Sequence, residues 1–186
     1  MQPLDLTLVV ATVLFLGLFL TYNRFVRSRL RTLEAWSGID VQLKRRADLV
    51  PNLVETVKAY AGHERVTLEA VVQARAALQQ ASGPAAAAEA NAQLTRALTR
   101  LLALAEAYPA LRAAESFLEL QRELSDLEEK IAYARQFYNR NVLHHNTRIH
   151  TFPQMLVAGI FGFQPFEFFE AEDPARTPVP AKFERS

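Results

Sequence analysis

The sequence predicts an all-α protein in which an N-terminal transmembrane helix continues into a long antiparallel up-and-down four-helix bundle. Three observations predict this fold. Residues 4–22 are almost wholly apolar. The rest of the chain repeats apolar residues three and four positions apart, which is the spacing of one face of an α-helix. Prolines and glycines divide these patterns into segments, and no segment alternates apolar and polar residues as a half-buried strand does.

The apolar stretch is long enough to cross a membrane, because roughly 19 helical residues span about 28 Å. A cleaved signal peptide is the alternative, but it needs a basic stretch first, and residues 1–5 contain no Lys or Arg. Basic residues concentrate on the cytoplasmic side of membrane helices. The sequence therefore predicts the inner membrane of a bacterial cell, with the N-terminus outside and the rest cytoplasmic. The basic residues that follow the stretch are Arg24, Arg27, Arg29 and Arg31.

The chain divides into four parts. We expect residues 1–22 to form the transmembrane anchor and residues 23–150 to form the bundle. Residues 151–170 form a Phe-rich C-terminal segment, called the hook below. Residues 171–186 are rich in acidic residues and proline, which cannot bury enough apolar surface to fold, and we expect a disordered tail.

Pro51 predicts the first break in the bundle, as a turn or sharp kink near residues 47–52 with Asp48 as a possible N-cap. A second helix would then run to the Ser82-Gly83-Pro84 break. The apolar stripe expected before the first break is Val26, Leu33, Trp36, Leu43, Ala47 and Val50. The stripe expected after it is Leu53, Val57, Tyr60, Leu68, Val71 and Leu78.

Two further helices complete the predicted bundle. Residues 85–106 are rich in strong helix formers, and the chain breaks again at Tyr108-Pro109. The last helix, which begins near residue 115, keeps the clearest three-four alternation. Short loops favour the up-and-down arrangement, which returns residue 150 to the bilayer. The stripe of the last helix is Phe117, Leu120, Leu124, Leu127, Ile131, Ala134 and Tyr138.

The hook begins with a short apolar helix around residues 155–160 and continues into a run of phenylalanines. Free Phe side chains would leave a large apolar patch. We therefore expect the segment to fold back and cap the open end of the bundle. The alternative is contact with the membrane interface or a membrane partner. The residues concerned are Phe161, Phe163, Phe166, Phe168 and Phe169.

Several polar residues fall on or beside the apolar stripes, and buried charges must find partners. The interpretation we favour is an interhelical network that fixes the helix register. Asp40, Glu64, Arg75 and Arg135 could instead serve an enzyme, but a slender bundle offers no obvious cleft. We therefore expect no enzyme, no catalytic residue and no cofactor. The network residues are Asp40, Lys44, Glu64, Arg75, Arg135 and Asn139.

The histidines do not predict a metal site. His63-Glu64 begins the H-E-x-x-H pattern of metalloproteases, but Thr67 stands where the second histidine is required. His144, His145 and His150 have no carboxylate neighbours in sequence, and we expect partly solvated surface histidines.

The chain resembles the LemA family of bacterial membrane proteins up to about residue 170. The resemblance is carried by A-W-S-G-I-D-V-Q-L-K-R-R-A-D-L-V-P-N-L-V-E-T-V-K-A-Y-A-G-H-E at 35–64, A-E-A-Y-P-A-L at 105–111, F-L-E-L-Q-R-E-L at 117–124 and I-A-Y-A-R-Q-F-Y-N at 131–139. The closing F-P, F-G-F and F-F also fit. His145-Asn146 stands where a second Y-N-like pair is usual.

The resemblance implies an N-terminal transmembrane helix, an N-terminus outside the cell and a cytoplasmic four-helix bundle. It supplies no activity and no catalytic residues. Relatives are associated with envelope stress, with membrane metalloproteases and, in magnetosome formers, with membrane remodelling. We therefore expect a membrane-anchored scaffold or adaptor; the alternative is a remodelling or envelope-stress protein that oligomerises and touches the bilayer through its Phe-rich segment. The expected partners are the lipid bilayer, a membrane protein such as a protease, and a second copy of the chain. The near balance of 21 basic and 20 acidic residues predicts no nucleic-acid partner.

Overall fold

A computed structural model describes residues 3–171, with side chains from residue 7 onward, and its regular structure is entirely helical. The prediction of an all-α fold is confirmed for these residues. The helices are α1 (Pro3–Ala61), α2 (Arg65–Gln80), α3 (Pro84–Ala105), α4 (Pro109–Arg112), α5 (Glu115–His150) and α6 (Gln154–Phe161).

α1 is a single helix of 59 residues, and at about 1.5 Å per residue it is about 88 Å long. Its first part is long and apolar enough to cross a membrane. The side chains of residues 7–20 are exposed, and a helix that is apolar on all sides without packing against protein suits a lipid environment. The helix continues through residue 22, so the predicted anchor and the predicted bundle share it.

Of the turn or sharp kink predicted near residues 47–52, the turn is wrong, because α1 passes through Pro51 and ends at Ala61. Proline has no backbone N–H, so it cannot donate to the carbonyl oxygen four residues earlier, which belongs to Ala47. The side chain of Arg75 on α2 supplies the missing donor, with its Nε 2.8 Å from that oxygen. The helix therefore keeps this carbonyl bonded across the proline.

α5 packs antiparallel to α1, because residues later in α1 contact residues earlier in α5. The predicted stripe of α5 is confirmed: five of its residues are buried, and Leu120 and Ala134 are half-buried against the same core. The contacts that set the direction are Ser28 with His145, Trp36 with Tyr138, and Arg46 with Glu128.

The buried stripe of α1 differs from the predicted one over residues 25–39, the part that follows the apolar stretch and is called the membrane end below. Leu33 was expected to face inward but is exposed. The inward positions there include the small or polar residues Ser28, Thr32 and Ala35. Beyond residue 40 the predicted Leu43, Ala47 and Val50 are buried as expected. The inward residues of the membrane end are Phe25, Ser28, Thr32, Ala35 and Ile39.

α2 and α3 form a helical hairpin that packs against the distal half of α1. The predicted break between them is confirmed, and Gly83 adopts φ 88° and ψ 168° there. This conformation is open essentially to glycine alone. Pro84 is the first residue of α3, a position where its missing N–H costs nothing. The short α4 then connects α3 to α5.

The hook folds back on the helices: α6 packs beside Phe25 of α1 and Ile149 at the end of α5, and the residues after α6 continue along both helices. Gly162, with φ 68°, ends α6 in the left-handed conformation that glycine adopts readily. Residues 163–169 then run extended beside α1 and α5, away from the apolar end of α1, and Phe169 becomes buried against Trp36. The predicted tail, residues 171–186, lies outside the described residues apart from Ala171.

Candidate functional site

The apolar end of the fold brings α6 against the residues of α1 that follow its apolar stretch. Val157 and Ala158 of α6 are buried in a small cluster with Phe25. The Phe25 ring stacks on that of Phe163 with centroids 4.8 Å apart, and the Tyr22 and Phe161 rings lie at the same separation. These contacts hold α6 level with residues 22–25 of α1.

The outer face of this short helical region is apolar and exposed. Ile160 is 73% exposed and Phe152 equally so. Contiguous exposed apolar side chains of this kind mark a contact surface for lipid or protein. The large apolar residues on this face are Phe152, Met155, Leu156, Ile160 and Phe161.

Two asparagines of α5 hold the extended part of the hook. The Asn146 amide donates to the Phe166 carbonyl at 2.8 Å, and its oxygen accepts from the Phe166 N–H at 2.9 Å. Asn139 bonds Phe169 in the same two ways, at 3.3 and 2.9 Å. Each asparagine thus satisfies both backbone groups of one hook residue, as a neighbouring β-strand would.

The spacing of these asparagines matches the spacing of the residues they bind. Seven helical residues rise about 10.5 Å and three extended residues cover about 10 Å. The residues just before the asparagines repeat the arrangement, because the Tyr138 hydroxyl donates to the Glu167 carbonyl at 2.8 Å and His145 Nε2 lies 3.3 Å from the Gln164 carbonyl oxygen. His145-Asn146 therefore binds the backbone of residues 164 and 166, and Tyr138-Asn139 binds that of residues 167 and 169, three positions further along the hook.

His145 is buried, which corrects the expectation that it is a solvated surface histidine. It is 0% exposed, and its Nδ1 lies 2.8 Å from the Ser28 hydroxyl oxygen. A carbonyl oxygen only accepts, so the bond to Gln164 requires a proton on Nε2, and in the neutral ring Nδ1 accepts from Ser28. Burial lowers the pKa of His145; the bond to Gln164 opposes this shift, and the positive charges of Arg148 and Arg29 add to it. The neutral ring is therefore favoured.

Tyr138 is buried beside the hook and stays protonated. Burial raises the pKa of its phenol to about 12, and the Glu167 carboxylate contributes to the shift. The hydroxyl is therefore a permanent donor to the hook backbone at physiological pH.

Comparison with known proteins places this arrangement in a family. The model of the LemA family matches residues 35–183, which is most of the chain. The chain belongs to the LemA family.

Named relatives of this LemA-family chain are similar over most of its length. Magnetosome protein MamQ 2 of Paramagnetospirillum magneticum is 26% identical over 198 residues, covering 92% of this chain and 73% of the relative. Magnetosome protein MamQ of Magnetospirillum gryphiswaldense is 26% identical over 208 residues, covering 95% and 76%. Protein LemA of Metamycoplasma hominis is 25% identical over 158 residues, covering 84% and 72%.

The polar residues singled out from the sequence of this LemA-family chain lie at separate places. Asp40 and Lys44 pair with each other at 2.6 Å on the exposed side of α1. Glu64 accepts a 3.5 Å hydrogen bond from the Tyr108 hydroxyl. Arg75 and Asn139 bond the backbone groups described above. The sixth, Arg135, is exposed on α5.

A buried polar contact that the sequence did not single out joins three helices. Arg46 of α1 is 4% exposed, and it donates to Asn91 of α3 and to Glu128 of α5, both at 2.8 Å. Burial lowers the pKa of Arg46, and the charge and hydrogen bond of Glu128 oppose the shift. The heptad position of Arg46 on the α1 stripe is the sequence signal that distinguishes it from the exposed Lys44 and Arg45 beside it.

The five phenylalanines of the hook separate into two groups. Phe169 is buried, and Phe163 and Phe166 are half-buried against α1 and α5. Phe161 and Phe168 are exposed. Three of the five residues considered for membrane or partner contact are therefore packed within the LemA-family fold, and α6 provides most of the exposed apolar surface.

The other histidines of the LemA-family chain are exposed. His63, His144 and His150 all lie on the surface. Within the part of the chain that the structure describes, no three His, Asp or Glu side chains are close enough to hold a metal ion.

Proposed function

We propose that this LemA-family protein is a membrane-anchored helical scaffold or adaptor. Its N-terminus would lie outside the cell, and the region after the apolar stretch would form an antiparallel up-and-down four-helix bundle in the cytoplasm. The continuity of α1 carries the proposal, because its 59 residues contain both the apolar stretch and the packed helical region. A helix without an intervening linker fixes the height of a binding surface relative to the bilayer.

The basic residues after the apolar stretch support this orientation. Arg24, Arg27 and Arg31 follow it directly, and the side of a membrane helix that carries Lys and Arg stays in the cytoplasm. The proposal includes no catalytic activity. In support, the residues that an enzyme would have used, such as Asp40, Glu64 and Arg75, each contact a different part of the chain.

An open groove between α1 and α5 is the surface on which we expect the partner. Its volume is about 720 Å³, and it is lined by Gly38, Tyr133 and Phe137 among others. Tyr133 is 75% exposed. Aromatic side chains are frequent anchors of protein interfaces. The proposed partner is a membrane protein, and a protease or a second copy of this chain are the two forms that we consider.

Photo-crosslinking in living cells tests the scaffold proposal. A crosslinking amino acid replaces Tyr133 or Phe137 in the groove, and as a control it replaces the exposed Thr99 on α3. We expect a membrane protein to be recovered from the groove positions and not from position 99. Recovery of lipids and general chaperones alone, or equal recovery from position 99, would contradict the proposal.

A second candidate function is membrane shaping, and the exposed face of α6 favours it. α6 is held level with Tyr22, next to the apolar stretch, so its exposed Leu156 and Ile160 would enter the lipid interface. Several relatives are named magnetosome proteins, and the resemblance to the family associates magnetosome formers with membrane remodelling.

The natural chain contains no cysteine, so one introduced cysteine can report on this second function. An environment-sensitive fluorophore is attached at Ile160→Cys, or at Leu118→Cys on α5 as a control, in full-length protein reconstituted into vesicles. We expect spin-labelled lipids to quench position 160 and not position 118, and we expect the protein to change vesicle diameter. Equal quenching at the two positions, or an Ile160→Ser variant that changes vesicle diameter as much as the parent does, would argue against membrane shaping by α6.

A further inference from the structure

Four arginines surround a cavity between α1 and the end of α5. The cavity has a volume of about 280 Å³ and lies beside the last residues of the apolar stretch. Three of the arginines share one face of α1 because they are three and four residues apart. The fourth comes from the last turn of α5, more than a hundred residues later. The residues lining the cavity are Leu20, Arg24, Arg27, Ser28, Arg31 and Arg148.

Backbone contacts position two of these guanidinium groups. Arg148 Nη1 lies 3.5 Å from the carbonyl oxygen of Arg24, across the gap between the two helices. Arg27 Nε donates to the Asn23 carbonyl at 3.3 Å. Among the residues that the structure describes, no ion pair includes any of the four arginines. Like charges this close repel, so an anion bound between them is favoured.

The chemistry of the lining selects the class of anion. Guanidinium groups present planar forks of N–H donors that match the oxygens of a phosphate group. Leu20 makes the end of the cavity towards the apolar stretch nonpolar. Arg24 and Arg31 are seven residues apart and so about 10.5 Å apart along the helix. The headgroup region of one leaflet is about 5–8 Å thick. The arginines thus span the depth of the lipid phosphates.

We infer that this cavity binds the phosphate group of an anionic phospholipid in the cytoplasmic leaflet, with an acyl chain beside Leu20. The inference rests on the orientation given under the proposed function. It adds a specific lipid site to the anchor and assigns a role to Arg148. Orientation by positive charge requires only the arginines next to the apolar stretch. Arg148 is remote in sequence, so its place beside them is explained by a shared ligand.

Lipid retention by the full-length protein tests the site. The protein is reconstituted in equal amounts of phosphatidylglycerol and phosphatidylcholine, extracted in mild detergent, and weighed with its retained lipids by native mass spectrometry. We expect the parent to retain phosphatidylglycerol in preference to phosphatidylcholine. Loss of one charge-assisted contact should lower that preference about tenfold in Arg148→Gln. The exposed Arg122→Gln, which changes the charge equally on the same helix, should retain the lipid as the parent does.

Two further variants separate loss of the lipid contact from loss of folding. Arg148→Lys keeps the charge but loses the planar guanidinium group. We expect a preference for phosphatidylglycerol between those of the parent and Arg148→Gln, with an unchanged circular dichroism spectrum. If Arg148→Gln alters that spectrum, Arg27→Gln replaces it with the same expected loss. Equal preference for phosphatidylglycerol in the parent and in a folded cavity variant would overturn the inference.

Inorganic phosphate distinguishes a lipid headgroup from a free phosphate ion. We expect millimolar inorganic phosphate to leave the retained phosphatidylglycerol in place, because the acyl chain also contributes to binding. Displacement of the lipid by inorganic phosphate would overturn the assignment to a phospholipid. Neither outcome alters crosslinking at Tyr133, so failure of the lipid site and failure of the scaffold proposal are distinguishable.

Discussion

The Nε of Arg75 donates a 2.8 Å hydrogen bond to the carbonyl oxygen of Ala47, the acceptor that Pro51 cannot serve. α2 thereby repairs the only backbone bond of α1 that the proline ring removes by lacking an N–H. This contact explains how a helix that begins in the apolar stretch reaches Ala61. It also gives Arg75 a structural role.

A double-mutant cycle tests this repair. Arg75→Leu leaves the Ala47 carbonyl without its donor, and we expect it to lower the free energy of unfolding by about 1–3 kcal/mol. In a Pro51→Ala background the backbone N–H of residue 51 serves that carbonyl, so the same change should cost less, with a coupling of about 1 kcal/mol. Denaturation of the full-length protein in detergent, followed by circular dichroism, measures both. Arg65→Leu, at an exposed position of α2, is the control, and strictly additive effects would contradict the repair.

Local patterns predicted the parts of the fold that depend on local residues. The apolar stretch, the stripe of α5 and the Ser82-Gly83-Pro84 break were all predicted because each follows from neighbours in sequence. The stripe of α1 was misplaced near Leu33, since the residues that face inward there include the polar Ser28 and Thr32. Apolar periodicity cannot identify a stripe whose members are small or hydroxylated.

Contacts between distant residues account for the other misses. Pro51 predicts a helix end unless another element serves the Ala47 carbonyl, and no local pattern reveals Arg75 doing so. The path of the hook depends on side chains of α5 bonding extended backbone, which leaves no periodicity in the hook itself. The recurrence of Tyr138-Asn139 seven residues later as His145-Asn146 is the one sequence signal of that contact.

Replacing the two asparagines should release the hook. Asn146→Leu removes the acceptor of the Phe166 N–H, and Asn139→Leu removes that of Phe169. We expect faster hydrogen exchange at those two amides in the respective variants, and a loss of about 1–3 kcal/mol of unfolding free energy for each. NMR of the full-length protein in micelles measures the exchange of each amide.

The matched control for this experiment is Asn141→Leu. The Asn141 amide donates to the Phe137 carbonyl within α5 and not to a hook residue. We expect the exchange of the hook amides to match the parent in this variant. Unchanged exchange at Phe166 in Asn146→Leu would show that packing alone holds the segment.

Acid should loosen the fold around His145. Burial lowers the pKa of His145 below its ordinary value, and Arg29 and Arg148 contribute in the same direction against the bond to Gln164. The unfolded chain therefore binds a proton at a higher pH than the folded chain does. Unfolding free energy is lost as pH falls from about 6.5 towards the lower folded pKa, and it is fully present above that window.

Thermal unfolding at pH 7.5 and pH 5.5 tests this dependence. We expect His145→Gln to reduce the difference in Tm between the two pH values, because glutamine keeps a donor for the Gln164 carbonyl without titrating. His144→Gln changes the exposed neighbour and should keep the difference seen in the parent. An equal pH dependence in the parent and in His145→Gln would refute the assignment to His145.

Replacing Asn91 alone should cost more than replacing Asn91 and Arg46 together. Asn91→Leu leaves Arg46 Nη1 buried without its acceptor, and we expect a loss of about 1–3 kcal/mol. The double variant Asn91→Leu with Arg46→Met removes both members of that hydrogen bond, together with the Arg46 Nε, which has no partner among the described residues. Glu128 is half-exposed and stays solvated, so the double variant should be close to neutral. Chemical denaturation measures both, with the exposed Arg45→Met as control. A larger loss for the double variant than for Asn91→Leu would mean that the buried cation itself stabilises the contact between α1, α3 and α5.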